Sequence, residues 1–170
     1  MKTILRYAAI LVLVAAVAGA VLLTTPLGER PLTSLFPVGD VEIVDFAAMK
    51  LSDKPNQFLV CPSDYCGAVP HAVGPVFEVS VERLRTRWHE VVAARPRIEL
   101  LAEYEDGSQI DYVQRSARFR FPDLITVRFI AVPPSRSTLA IYSRSIYGED
   151  DFAVNRERIE AWLAVLGVGL

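Results

Sequence analysis

Residues 98–145, IELLAEYEDGSQIDYVQRSARFRFPDLITVRFIAVPPSRSTLAIYSRS, decide the fold class. Ile98, Leu100, Ala102 and Tyr104 alternate with Glu99, Glu103 and Glu105, the period of a half-buried strand. Asp106-Gly107 is a hairpin turn signal, and residues Gln109 to Phe119 read as the returning strand. Pro122-Asp123 breaks the chain, and Leu124 to Val132 reads as a third strand. Pro133-Pro134-Ser135 turns it into a fourth, Ser137 to Ser145. Links this short between consecutive strands favour an antiparallel meander.

Two helical patterns flank this run. Before it, Ser80 is a candidate N-cap, and Val81, Leu84, Trp88, Val91 and Val92 form one apolar stripe that Pro96 ends. After it, Phe152, Ile159, Trp162, Leu163 and Leu166 predict a helix over Phe152 to Leu166, capped by Asp150 or Asp151. The expected fold is therefore α+β: an antiparallel sheet of about four strands, with two amphipathic helices packed on one face.

The N-terminus belongs to another environment. Ala8 to Leu23 is an unbroken apolar run, and the stretch from Ile4 to Thr25 suffices to cross a hydrocarbon core of roughly 30 Å. Lys2 and Arg6 precede the run, which places the N-terminus in the cytoplasm and the rest outside. Ala18-Gly19-Ala20 has the small-x-small form of a signal-peptide cleavage site, but Val21-Leu22-Leu23 continues the apolar run beyond it. The expected organisation is a single-pass transmembrane anchor over 1–25, a Pro-rich spacer and linker over 26–57, and an extracytoplasmic domain over 58–170. The segment Ile43 to Asp53 reads equally as a short strand or a helix, and Asp53 to Pro75 reads as loop.

Formal net charge is −2 and no run of five basic residues occurs, so no nucleic-acid footprint is present. No nucleophile elbow, Ser-x-x-Lys pair or glycine-rich phosphate loop occurs either. No catalytic, metal-binding or cofactor set is assigned. Cys61 and Cys66, in CPSDYC, read as a local disulfide in an oxidising compartment; zinc binding with His71 and His89, or a redox-active pair, are the alternatives. Glu149-Asp150-Asp151 precedes a helix, where negative charge offsets the N-terminal dipole; a cation site or a general base is the competing reading.

The stretch Ile141 to Arg158, IYSRSIYGEDDFAVNRER, holds the candidate site. Asn155 follows Phe152 by three residues and precedes Ile159 and Trp162 by four and seven, on the buried stripe. A buried amide must be hydrogen-bonded, most simply to backbone groups of the loop Tyr147 to Asp151. Arg144 and Arg156 would bracket that loop. Two roles compete for the motif: a latch between loop and helix, or a pocket for an anionic ligand with the two arginines as donors.

Here the sequence resembles a bacterial family catalogued as domain of unknown function 1499. Its signature is similar to Ser143-Arg144-Ser145, Gly148, Asp151, Asn155 and Arg158 in this chain. The family's Phe-Pro-Asp resembles Phe121-Pro122-Asp123, and its paired cysteines resemble Cys61 and Cys66. Tyr65 and Gly67-Ala68 depart from the family's usual Asn and Val-Ser. The resemblance implies relatives and no established chemistry. The expected partners are the lipid bilayer around residues 4–25 and either an envelope protein or a small anionic ligand. A purely structural accessory of a membrane complex, or a hydrolase built on Ser145 and Asp151, are the other readings.

Overall fold

The helix expected after Ser80 spans Val81–Ala93 (α3), and Ser80 caps it by accepting a hydrogen bond from the Arg83 N–H. Its stripe of Leu84, Trp88, Val91 and Val92 is buried. The computed structural model that establishes this describes residues 2–25, 29–104 and 107–168. The expected turn at Asp106 and the spacer residue Pro26 lie outside the described residues.

The meander forms as expected from Ile98–Tyr104 (β4), Gln109–Arg115 (β5), Pro122–Val132 (β6) and Arg136–Ser145 (β7), all antiparallel neighbours. β5 stops at Arg115, short of Phe119. There the Ser116 N–H turns back to the Phe121 carbonyl. β4 carries a bulge between Leu100 and Ala102, which breaks the simple alternation expected of it.

Among the described residues the sheet has seven strands rather than about four. Gln57–Cys61 (β1) pairs antiparallel with β7, Ala72–Val73 (β2) pairs parallel with β1, and Val76–Phe77 (β3) pairs with β7. These strands lie largely in the segment expected to be loop. β1 is buried on both faces, so its sequence QFLVC shows no alternation. The other two are only two residues long.

The last helix is Val154–Val168 (α4), starting two residues later than expected. Asp151 receives the N–H groups of Ala153 and Asn155 on its carboxylate, which fixes the entry to the helix. Phe152 is not part of the buried stripe: it precedes α4, is 87% exposed and has φ +52°. Ile159, Trp162 and Leu166 are buried, and Leu163 packs at the margin. Trp88 and Trp162 meet edge-on at 5.7 Å, joining α3 to α4 over one face of the sheet.

The opposite face is partly covered by residues 44–51, which form a turn at 46–48 and neither strand nor helix. Phe46, with Val44, Met49 and Leu51, packs against Leu59, Cys61 and Ala140. Cys61 and Cys66 are disulfide-bonded, pinning the loop after β1 beneath this segment. The metal alternative finds no cluster: among the described residues, no three His, Cys, Asp or Glu side chains come together. Replacing both cysteines by alanine should cost about 2–3 kcal/mol, the entropy of a short closed loop. The loss is read as a lower denaturation midpoint. Two readily alkylated thiols in the folded native protein would contradict the bond.

Ahead of the domain, Lys2–Thr24 (α1) is helical, and Thr3–Leu22 has mean hydropathy 2.3 with none of it buried. At 1.5 Å per residue these 20 residues match a hydrocarbon core of roughly 30 Å. A short helix, Glu29–Leu35 (α2), leads to Phe36 at the domain surface.

Candidate functional site

Strand alternation sends Ser143 and Ser145 of β7 toward the helices and Arg144 away from them. In the neighbouring strand, Asp123 sits opposite Ser145 and Ile125 opposite Ser143. α4 crosses this corner with Asn155 and Arg158, three residues apart and so on one helix face. A polar cluster thus occupies the end of an otherwise apolar helix–sheet interface.

Its bonds close on one another. Ser143 Oγ donates to Asn155 Oδ1 at 2.6 Å, and Ser145 Oγ donates to Asp123 Oδ1 at 2.6 Å. The Asn155 amide donates to Asp151 Oδ2 at 2.6 Å, to Ser145 Oγ at 3.1 Å and to the Asn56 carbonyl at 3.2 Å. Arg158 donates to Gln114 Oε1, to Ser143 Oγ and Asn155 Oδ1, and to Asp123 Oδ2. The Arg158 and Asp123 side chains are only 8% and 11% exposed. A charge pair this dry is sustained only when its remaining donors and acceptors are also met, as they are here.

Asn155 is therefore buried as its spacing implied, but its partners differ from those expected. Side chains of β7, Asp151 and Arg158 hold it, with one backbone carbonyl, that of Asn56. The loop backbone is held separately, by Asn56 Nδ2 donating to the Gly148 carbonyl at 2.8 Å. Gly148 adopts φ +91°, a conformation that suits glycine.

The two arginines expected to bracket the loop do not do so. Arg144 lies on the far face, over the Tyr142 ring at 4.8 Å and 3.5 Å from Thr126 Oγ1. Burial pulls its guanidinium below the ordinary value, while Tyr142 and buried Asp111 act in the opposite direction. Arg156 is exposed on α4, with its guanidinium 5.0 Å above the Phe58 ring. His71 stacks on the same ring and accepts the Leu59 N–H at Nδ1, 2.9 Å away. Burial, and secondarily the charge of Arg156, hold His71 below the ordinary histidine value. His89 is exposed on α3.

Sequence reasoning left Asn56, Gln114 and Asp123 out of the site. Asp123 had a signal, the Phe-Pro-Asp triplet; Asn56 and Gln114 had none, because only the sheet register brings them here. The rim was also missed. Above Asp123, Ser145 and Asp151 opens a cavity of about 550 Å³, walled by Phe119, Phe121, Tyr147 and Phe152. Asp150 and Arg118 stand at its edge. Phe36 packs on Phe121 at 4.5 Å and on Tyr147 at 5.4 Å, and the Tyr147 hydroxyl donates to the Pro37 carbonyl. Three non-glycine residues around the mouth, Arg120, Phe152 and Ala153, have positive φ.

These features define a class: a small α+β domain behind one apolar helix, keyed by a buried Ser–Asn–Arg–Asp network beneath an aromatic-walled cavity. The chain belongs to the family described as protein of unknown function (DUF1499), whose pattern covers residues 50–166. Comparison with curated proteins finds no match.

Proposed function

We infer that this protein is a membrane-anchored extracytoplasmic binding module. α1 holds it in the bilayer, its N-terminus is cytoplasmic, and the cavity above Asp123, Ser145 and Asp151 is where a small ligand sits. The observation that carries the reading is the juxtaposition of exposed aromatic walls with a rigid polar floor. Apolar cavities with a few placed polar groups are the usual form of a small-molecule site. Aromatic faces beside the Asp150 and Asp151 carboxylates favour an apolar body carrying an ammonium or another donor. An anionic ligand has less support, since Arg144 and Arg156 lie away from this mouth and Arg118 is outnumbered there by Asp123, Asp150 and Asp151.

Binding is favoured over hydrolysis by how the hydroxyls are used. Ser143 and Ser145 spend their protons on Asn155 and Asp123, and Asp123 is itself committed to Arg158. Among the described residues, neither hydroxyl hydrogen-bonds a histidine, and the carboxylate that Ser145 does reach, Asp123, is paired with Arg158, which lowers its use as a base.

Benzyltrimethylammonium is a suitable probe, with the full chain in lipid nanodiscs and saturation transfer read by NMR. Transfer to its ring and methyl protons is expected, with loss of the signal in Phe119→Ala and weakening in Asp150→Asn. Benzenesulfonate, with the same ring and opposite charge, should receive less. Stronger transfer to the sulfonate, or transfer indifferent to Phe119→Ala, would overturn the assignment.

A further inference from the structure

The mouth of the cavity is apolar where a soluble surface would be polar. Phe152 is 87% exposed and Phe119 is 48% exposed, with Val154 also open to solvent. Phe119 and Phe121 stack at 5.6 Å, so the turn 116–121 presents two rings side by side, with Arg118 exposed beside them. Scattered exposed apolar residues need no explanation, but several gathered around one mouth mark a contact surface.

What meets that surface follows from where the tether joins the domain. The chain comes from the apolar helix α1 through α2, and Phe36 docks at this same rim. Phe36 lies against Phe121 and Tyr147, and Arg115 Nη1 donates to the Phe36 carbonyl at 2.9 Å. With α2 helical and every other residue extended, Phe36 can lie no more than roughly 35 Å from the end of the span at Leu22. The rim, where the tether joins the domain, is thus within reach of the bilayer. Phenylalanines beside an arginine are the composition of segments that enter a lipid headgroup–acyl boundary, and Asp150, also at this mouth, then stays at headgroup level or above it.

We propose that the rim formed by Phe119, Phe121 and Phe152 rests in the interfacial layer of the membrane that α1 spans, so that the cavity opens onto lipid. The partner is a lipid surface, with Arg118 at the level of the phosphates. This rests on the anchoring part of the preceding reading and is independent of whether the cavity takes an ammonium.

The test uses the full chain in vesicles of phosphatidylethanolamine and phosphatidylglycerol, containing lipids brominated high on the acyl chain. Trp88 and Trp162 are buried and supply a constant background, measured with the parent. Tryptophan is introduced singly as Phe119→Trp, Phe152→Trp and Val73→Trp. Val73 is an exposed residue of β2, paired with Cys61 at the end of β1 remote from Arg144. Tryptophans at 119 and 152 should lose most of their emission to bromine and shift to shorter wavelength, while that at 73 keeps its emission. Equal quenching at all three positions, or none at 119 and 152, overturns the proposal. The second of these is also the outcome if a protein partner covers the rim. Flotation of the same vesicles reads the anchor separately: unquenched protein that floats refutes the rim contact alone, whereas protein that fails to float refutes the anchoring on which it rests.

Discussion

Arg158→Ala is expected to lower the unfolding free energy by about 3–5 kcal/mol, the cost of removing one partner from a buried ion pair. The guanidinium makes contacts to four side chains, from β5, β6, β7 and its own helix. Alanine removes them all and leaves the Asp123 carboxylate, 11% exposed, with Ser145 as its remaining side-chain donor. Gln114 loses its donor as well. The measurement is the denaturant midpoint with the slope held under watch, since a changed slope would signal a loosened native state. Asp123→Asn added to Arg158→Ala should recover part of the loss, because the stranded charge is then gone. Arg156→Ala is the internal control: it sits two residues earlier, exposed over Phe58, and should shift stability by no more than about 0.5 kcal/mol. Equal effects of the two arginine variants would show that the pair contributes nothing.

Asn155→Leu should follow closely. Leucine is what an apolar helix stripe beside Ile159 and Trp162 would ordinarily carry, so burial alone predicts a neutral or stabilising change. The hydrogen bonds predict the reverse. The amide oxygen accepts from Ser143 and Arg158, while the nitrogen donates toward Asp151, Ser145 and Asn56. Some of those groups retain another partner, but the Ser143 proton does not, and each group left unmet costs roughly 1–3 kcal/mol. Asn155→Asp separates shape from chemistry: it keeps the volume but turns an acceptor toward Asp151 Oδ2, where the amide nitrogen now lies at 2.6 Å. Both variants should melt below the parent. A leucine variant as stable as the parent would mean the network does not act as a latch.

The parts of this architecture that were legible in the sequence are those with a period. Trp88 and Val91 repeat on a helix face, and Ile125, Val127 and Phe129 alternate along a strand, so α3 and the meander could be read directly. Asn155 was legible for the same reason, as a polar residue at an apolar phase. β1 has no period because both of its faces are covered, one by the helices and the other by Phe46 and its neighbours. Phe152 misled because its helical phase is correct only if the helix has begun, whereas the chain there still turns through positive φ. The placement of Arg144 was recoverable: a strand running through Ser143, Arg144 and Ser145 must send the middle residue to the other face. Nothing local, however, could bring Asn56, Gln114, Asp123 and Arg158 to one corner. That needed the register of four strands.

If α1 anchors the protein as proposed, the bulge in β4 has a further consequence. β4 is the outermost strand of the sheet, and Leu100 and Leu101 are exposed along it. Copies held on one membrane meet far more often than copies free in three dimensions, and an even, apolar outer strand would let their sheets splice into one another. An extra residue at 101 disturbs the spacing that such splicing requires, and Glu99 and Glu103 repel a matching neighbour. The irregularity at Leu101 would thus help crowded neighbours stay separate.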